Sequence, residues 1–235
     1  MSAVKLAARE RVIVALDVPD LKALNEFLDQ LEGQPHFYKV GLELFVAEGA
    51  RAVEAVKARG GRVFLDLKLH DIPETVARAV ASAAALGVEL LTLHAAGGTE
   101  MMKRAVDAAE ARLKVIAVTV LTSFSPEDLA KDGIAGPISA AVARRAKIAA
   151  DAGIAGLVCS PLEVGEARAA GESLLLVVPG VRPSGAALGD QKRVATPAAT
   201  IKAGADHLVV GRPIRDAANP ADAFAAIVRE IETAS

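Results

Sequence analysis

The segment Asp66-Leu67-Lys68-Leu69-His70-Asp71 sets two carboxylates and an ammonium group within six residues, directly after the apolar run Val63-Phe64-Leu65. Residues two apart on an extended chain point to the same side, so Asp66 and Lys68 are predicted to face one way. Asp71 follows, after a turn into Ile72-Pro73. Asp17 closes a second apolar run, Val12-Ile13-Val14-Ala15-Leu16, and Lys39 lies in a third, Phe37-Tyr38-Lys39-Val40. If these runs are neighbouring strands, three carboxylates and two ammonium groups meet. Burying such charges is costly unless they pair. They could form a structural network at a rim. They could also do chemistry, because a positioned ammonium stabilises negative charge developing on a substrate and can then supply a proton.

A second signal lies near the end of the chain, at Val209-Val210-Gly211-Arg212-Pro213. Gly211 allows close backbone approach, and Arg212 offers a two-pronged donor for phosphate oxygens. The preceding stretch, 179–193, is rich in Gly and Pro at its start and reads as a lid that could close over an anion.

These residues need a scaffold, and the sequence alternates two textures. One is short and β-branched: the three runs above, then Leu90-Leu91-Thr92-Leu93, Val115-Ile116-Ala117-Val118-Thr119-Val120, Gly156-Leu157-Val158, 174–178 and His207-Leu208-Val209-Val210. Continuous apolar runs suit parallel strands buried on both faces. The other texture is Ala-rich and amphipathic, over about 20–32, 44–59, 73–86, 99–111, 138–151, 197–203 and 220–232. Thr196-Pro197 and Asn219-Pro220 read as N-cap then first-turn proline, and Ser125 with Asp128 as a capping box. Gly60, Gly87, Gly153 and Gly204 read as helix stops. Eight strand–helix units predict one (β/α)8 TIM barrel over 1–235, an α/β fold whose strand C-termini carry the chemistry. The alternative, an open doubly wound sheet, lacks its glycine fingerprint after the first strand.

Composition excludes other classes. Lys plus Arg is 27 against 29 for Asp plus Glu, so no general basic excess exists to bind nucleic acid. Aromatics are 3%, too few for stacking platforms. Cys159 stands alone, which removes intrachain disulfides and reads as a small buried side chain. No apolar run predicts a membrane span, and residues 1–11 lack the apolar core of a signal peptide, so a cytoplasmic location is expected.

The blocks Ala15-Leu16-Asp17, Lys39-Val40-Gly41, Phe64-Leu65-Asp66-Leu67-Lys68-Leu69-His70-Asp71-Ile72-Pro73, Thr119-Val120-Leu121-Thr122-Ser123, Pro179-Gly180-Val181-Arg182 and Val210-Gly211-Arg212 resemble, in order and across the chain, the orotidine 5′-phosphate decarboxylase family. That resemblance implies decarboxylation of orotidine 5′-monophosphate to UMP and CO2, with no metal and no organic cofactor. It implies that Lys39, Asp66, Lys68 and Asp71 form a charge array beside pyrimidine C6, with Lys68 protonating C6. Asp17 and Lys39 would hold ribose hydroxyls, Thr122 the pyrimidine, and Arg182, Gln191, Gly211 and Arg212 the phosphate side. Asp71, Ile72 and Thr75 would come from the other subunit of a homodimer with shared sites.

Two alternatives stand beside it. One is an Mg2+-dependent barrel like 3-keto-gulonate-6-phosphate decarboxylase or hexulose-6-phosphate synthase, which carries an acidic residue where this chain has Lys39. The other is a non-catalytic phosphosugar-binding barrel, which leaves the Asp66/Lys68/Asp71 array unexplained. His70 and His94 are expected to support the site by hydrogen bonds. Ser123 and Ser160 have no identifiable base to make them nucleophiles.

Overall fold

The computed structural model describes residues 6–183 and 195–234. Among these, eight parallel strands alternate with helices and close into a barrel in sequence order. They are β1 (Val12–Ala15), β2 (Phe37–Val40), β3 (Arg62–Leu69), β4 (Leu90–His94), β5 (Lys114–Val118), β6 (Gly156–Val158), β7 (Leu175–Val178) and β8 (His207–Val210). Closure is a direct β1–β8 ladder, Val12 opposite Leu208 and Val14 opposite Val210. That pairing rules out the open sheet.

Strand periodicity explains the continuous apolar runs. Ile13, Ala15, Phe37, Phe64, Leu90, Ile116, Val118, Val158, Val177 and Val209 pack as one cluster, the barrel interior. Val12, Val14, Tyr38, Val40, Val63, Leu65 and Leu91, of opposite parity, join the larger cluster shared with the helices. Both parities are therefore buried. Phe37 and Phe64, each 1% exposed, fill the interior, and truncating either to Ala would cost about 3–5 kcal/mol. Continuing the inward parity toward the strand C-termini leads from Ala15 to Asp17, Phe37 to Lys39, Phe64 to Asp66, Leu90 to Thr92 and Val209 to Gly211. At this end the apolar filling thus gives way to polar groups that open onto the strand C-termini.

The predicted caps form. Ser125 and Asp128 make the reciprocal capping box, and the Thr196 and Asn219 side chains accept from Ala199 N and Asp222 N. Each such cap contributes about 1 kcal/mol. The helix predicted over 44–59 is instead two, Leu42–Glu48 and Ala50–Ala58. They break at Gly49, whose φ of 57° no helix accommodates. The short helices Val164–Ala169 and Arg212–Arg215 were not predicted from periodicity, being too brief to show one.

The opposite end of the barrel is plugged by an ion-pair and ring cluster. Arg62 pairs with Glu89 through two contacts of 2.6 Å and lies 4.4 Å over the Phe37 ring. His207, 4% exposed, meets that ring edge-on at 5.6 Å, and its Nδ1 lies 3.0 Å from the Glu10 carbonyl oxygen. Burial, reinforced by the Arg62 charge, pushes the His207 pKa down from 6.5 to about 4. The unfolded chain then binds the proton more readily than the folded one between those values, so stability falls as pH drops through that window, by up to about 3 kcal/mol from this group. Melting temperature measured from pH 7 to pH 4 should fall, and His207→Asn should flatten part of that fall. An identical profile in the variant would count against this assignment.

Candidate active site

At the C-terminal end of the barrel, four charged side chains form an alternating row. Lys39 Nζ lies 3.0 Å from Asp17 Oδ1 and 3.6 Å from Asp66 Oδ2, and Lys68 Nζ lies 2.8 Å from the same Asp66 oxygen. Lys39 and Asp66 are 9% and 8% exposed. Burial works to raise the Asp66 pKa, but the charges of Lys39 and Lys68 and the hydrogen bonds from Lys68 and Thr92 outweigh it and hold the carboxyl below its ordinary value. Gly41 leaves room for the row: a methyl there would stand 2.8 Å from Lys39 Nζ and 3.1 Å from Asp17 Oδ1.

Asp66 and Lys68 do converge, but regular strand alternation is not the reason. The β3–β4 register shifts between Leu65 and Leu69, and Lys68 has the left-handed φ of 51°. Such a conformation costs a non-glycine residue about 1–3 kcal/mol and needs surrounding structure to hold it. Here the Lys68 N–H donates to Thr92 Oγ1 at 2.9 Å, and Thr92 Oγ1 donates to Asp66 Oδ1 at 2.8 Å. A bulge of this kind re-aims a side chain at a barrel rim. Thr92 carried no motif signal. Only its inward parity with Leu90 and its polarity within an apolar run could have marked it.

The row borders a cavity of about 410 Å³ that also takes in Thr122, Arg182, Gly211 and Arg212. Ala15, Phe64, Val158 and Val209 give it an apolar floor. A methyl on Gly211 would make only ordinary contacts, 3.4 Å to Ala15 Cβ and 3.5 Å to Asp17 Oδ2, so packing does not demand glycine there. Its bare backbone faces the cavity instead. Arg215, absent from the sequence reading, also lines the cavity and braces Asp17 by donating from Nη1 to its carbonyl at 2.9 Å. The cavity thus takes in the alternating row together with three guanidinium groups, those of Arg182, Arg212 and Arg215.

Asp71, Ile72 and Thr75 do not line this cavity and are exposed on the single chain. Asp71 Oδ1 accepts the Ile72 N–H at 2.7 Å, and Ile72 is 67% exposed. Gln191, with most of the segment read as a lid, lies outside the described residues. His70 and His94 face each other with ring centroids 5.5 Å apart, a ring contact where hydrogen bonding into the site was expected. Burial, then the charges of His70, Lys68 and Arg145, lower the His94 pKa. Cys159 is buried as expected, and Ser160 Oγ donates to the nearby Glu163 carboxylate.

Residues 10–227 match the model of the orotidine 5′-phosphate decarboxylase / HUMPS family. The chain is 57% identical over 219 residues to orotidine 5′-phosphate decarboxylase of Anaeromyxobacter sp. (strain K), covering 93% of this chain and 96% of that protein. It is 50% identical over 231 residues to the Trichlorobacter lovleyi protein of that name, covering 95% and 96%. The crystal structure of orotidine 5′-phosphate decarboxylase from Lactobacillus acidophilus superposes with a TM-score of 0.83 at 38% identity, covering 94% of this chain and 99% of that one.

The guanidinium groups lining the cavity predict an anion subsite. A nucleoside monophosphate should raise the melting temperature more than the matching nucleoside, and Arg212→Ala should shrink that difference. Equal shifts from both ligands in the parent protein would contradict an anion subsite.

Proposed function

Because the chain belongs to the orotidine 5′-phosphate decarboxylase / HUMPS family, we propose that it converts orotidine 5′-monophosphate to UMP and CO2, with Lys68 protonating pyrimidine C6. The observation that carries this reading is the row Asp17, Lys39, Asp66, Lys68, which shares its cavity with arginines that suit a phosphate. The bond from C6 to the carboxylate breaks, CO2 leaves, and the electron pair stays on C6. No electron sink lies beside that carbon, so a fixed ammonium meeting the charge as it develops stabilises the transition state. Lys68 then gives its proton to C6 and regains one from solvent. Asp66 faces the departing carboxylate, and their repulsion ends as CO2 leaves. Asp17 and Lys39 hold the ribose and Thr122 the pyrimidine. Arg182, Gln191, Gly211 and Arg212 hold the phosphate, whose binding energy is remote from the reacting carbon.

This chemistry needs no metal or organic cofactor. Lys39 Nζ stands between the Asp17 and Asp66 carboxylates, where its charge opposes a divalent cation. That favours the decarboxylase over the Mg2+-dependent sugar-phosphate barrels, and a non-catalytic binding barrel leaves the row without a purpose. The active form is a homodimer in which Asp71, Ile72 and Thr75 complete the partner's cavity. Their exposure, away from their own cavity, supports this. The whole chain, 1–235, works as one catalytic domain in the cytoplasm, free of nucleic acid and membrane. No helix among the described residues is long and apolar enough to cross a membrane.

Lys68→Ala should lower CO2 release by at least about 10²-fold, the low end for removing a general acid, in a chain that still folds. Near-normal turnover in that variant would sink the assignment. Mixing Lys68→Ala with Asp71→Asn should restore part of the activity through hybrid dimers with one intact site, and no recovery after subunit exchange would contradict the shared site.

A further inference from the structure

Thr92 belongs to no motif, yet its hydroxyl joins the two residues on which the proposed chemistry turns. It is fully buried in β4. One lone pair accepts the Lys68 N–H at 2.9 Å, and its proton goes to Asp66 Oδ1 at 2.8 Å. A hydroxyl has a single proton to give, so its donor capacity is spent on Asp66.

The local geometry makes both bonds consequential. Leu65 stands opposite Leu91 and Leu69 opposite Leu93, so four steps along β3 span two along β4. Within this irregular stretch the Lys68 N–H is taken by a side chain, Thr92, in place of a ladder carbonyl. The bond also tethers Lys68 in its left-handed conformation. The Asp66 carboxylate turns easily about its last torsion, whose energy profile is broad. With Oδ1 held by Thr92, Oδ2 is left facing Lys68 Nζ at 2.8 Å and Lys39 Nζ at 3.6 Å.

We infer that Thr92 is a positioning residue for the decarboxylation. It acts through the Asp66 carboxylate and the Lys68 backbone, and it fixes where the Lys68 ammonium stands when the charge on the substrate develops. The inference rests on the functional reading above. A misplacement near 1 Å can cost on the order of 10²-fold in rate, so loss of the hydroxyl should appear in kcat more than in KM. Loss of a donor to Asp66 should also raise the pH at which that carboxylate takes up a proton, moving the acid limb of kcat/KM upward.

The test compares the parent with Thr92→Val, Thr92→Ser and Thr92→Ala, using orotidine 5′-monophosphate. Thr92→Val should lose at least about tenfold in kcat with KM changed under about threefold, and its acid limb should move to higher pH. Thr92→Ser, which keeps the hydroxyl, should stay within about threefold of the parent with an unmoved limb. If Thr92→Val does not fold, the Ser and Ala variants decide, because both lack the methyl and differ only in the hydroxyl. Ser exceeding Ala by about tenfold in kcat supports the inference, and a ratio under about twofold overturns it. A folded Thr92→Val with parental kcat and pH profile overturns it as well, leaving the decarboxylase reading intact. A parent chain that releases no CO2 removes both.

Discussion

A carboxylate buried beneath a barrel mouth is tolerable only when positive charge and hydrogen-bond donors reach it, and Asp66 draws both. Two ammonium groups approach one of its oxygens and the Thr92 hydroxyl holds the other. Removing one partner from such a set leaves an uncompensated charge, which costs far more than the intact set contributes. The dependence runs outward from there. Lys39 is also tied to Asp17, Asp17 is braced by Arg215, and Gly41 keeps clear the space in which Lys39 and Asp17 meet. The left-handed backbone of Lys68 persists because the same hydroxyl that holds Asp66 takes its N–H.

The barrel makes this arrangement possible by separating tasks along its axis. The interior is apolar from Ile13 to Val209, and close-packed side chains there give the mouth a floor that does not yield. One end is closed by the Arg62–Glu89 pair with Phe37 and His207. The other is left open, with opposite charges at the inward positions of the first strands and arginines around the last. Because β8 pairs with β1, the guanidinium side and the Asp17 end of the row are neighbours. A net charge of -2 conceals this local ordering.

Much of this was legible in the residues themselves. The continuous apolar runs announced buried parallel strands, and the positions of Asp17, Lys39, Asp66 and Arg212 at strand ends pointed to one face. Thr196, Asn219 and Ser125 announced helix starts through local chemistry alone. What was not legible depends on neighbours distant in sequence. The bulge at Lys68 is a property of two strands in register. Thr92 reads as one more β-branched strand residue until Asp66 is seen across the ladder. Arg215 looks like a surface charge until its contact with the Asp17 carbonyl is known. The break at Gly49 was hidden because the apolar periodicity continues on both sides of it. Asp71, Ile72 and Thr75 carry a strong motif yet stand apart from the cavity of their own chain.

The central claim is that fixed side-chain charges, with the Lys39 ammonium between the Asp17 and Asp66 carboxylates, suffice for the reaction. The most direct measurement is CO2 release from orotidine 5′-monophosphate by the purified chain in excess EDTA. The account predicts CO2 and UMP in equal amounts at a rate that EDTA leaves unchanged. Loss of turnover in EDTA that returns on adding Mg2+ would contradict it.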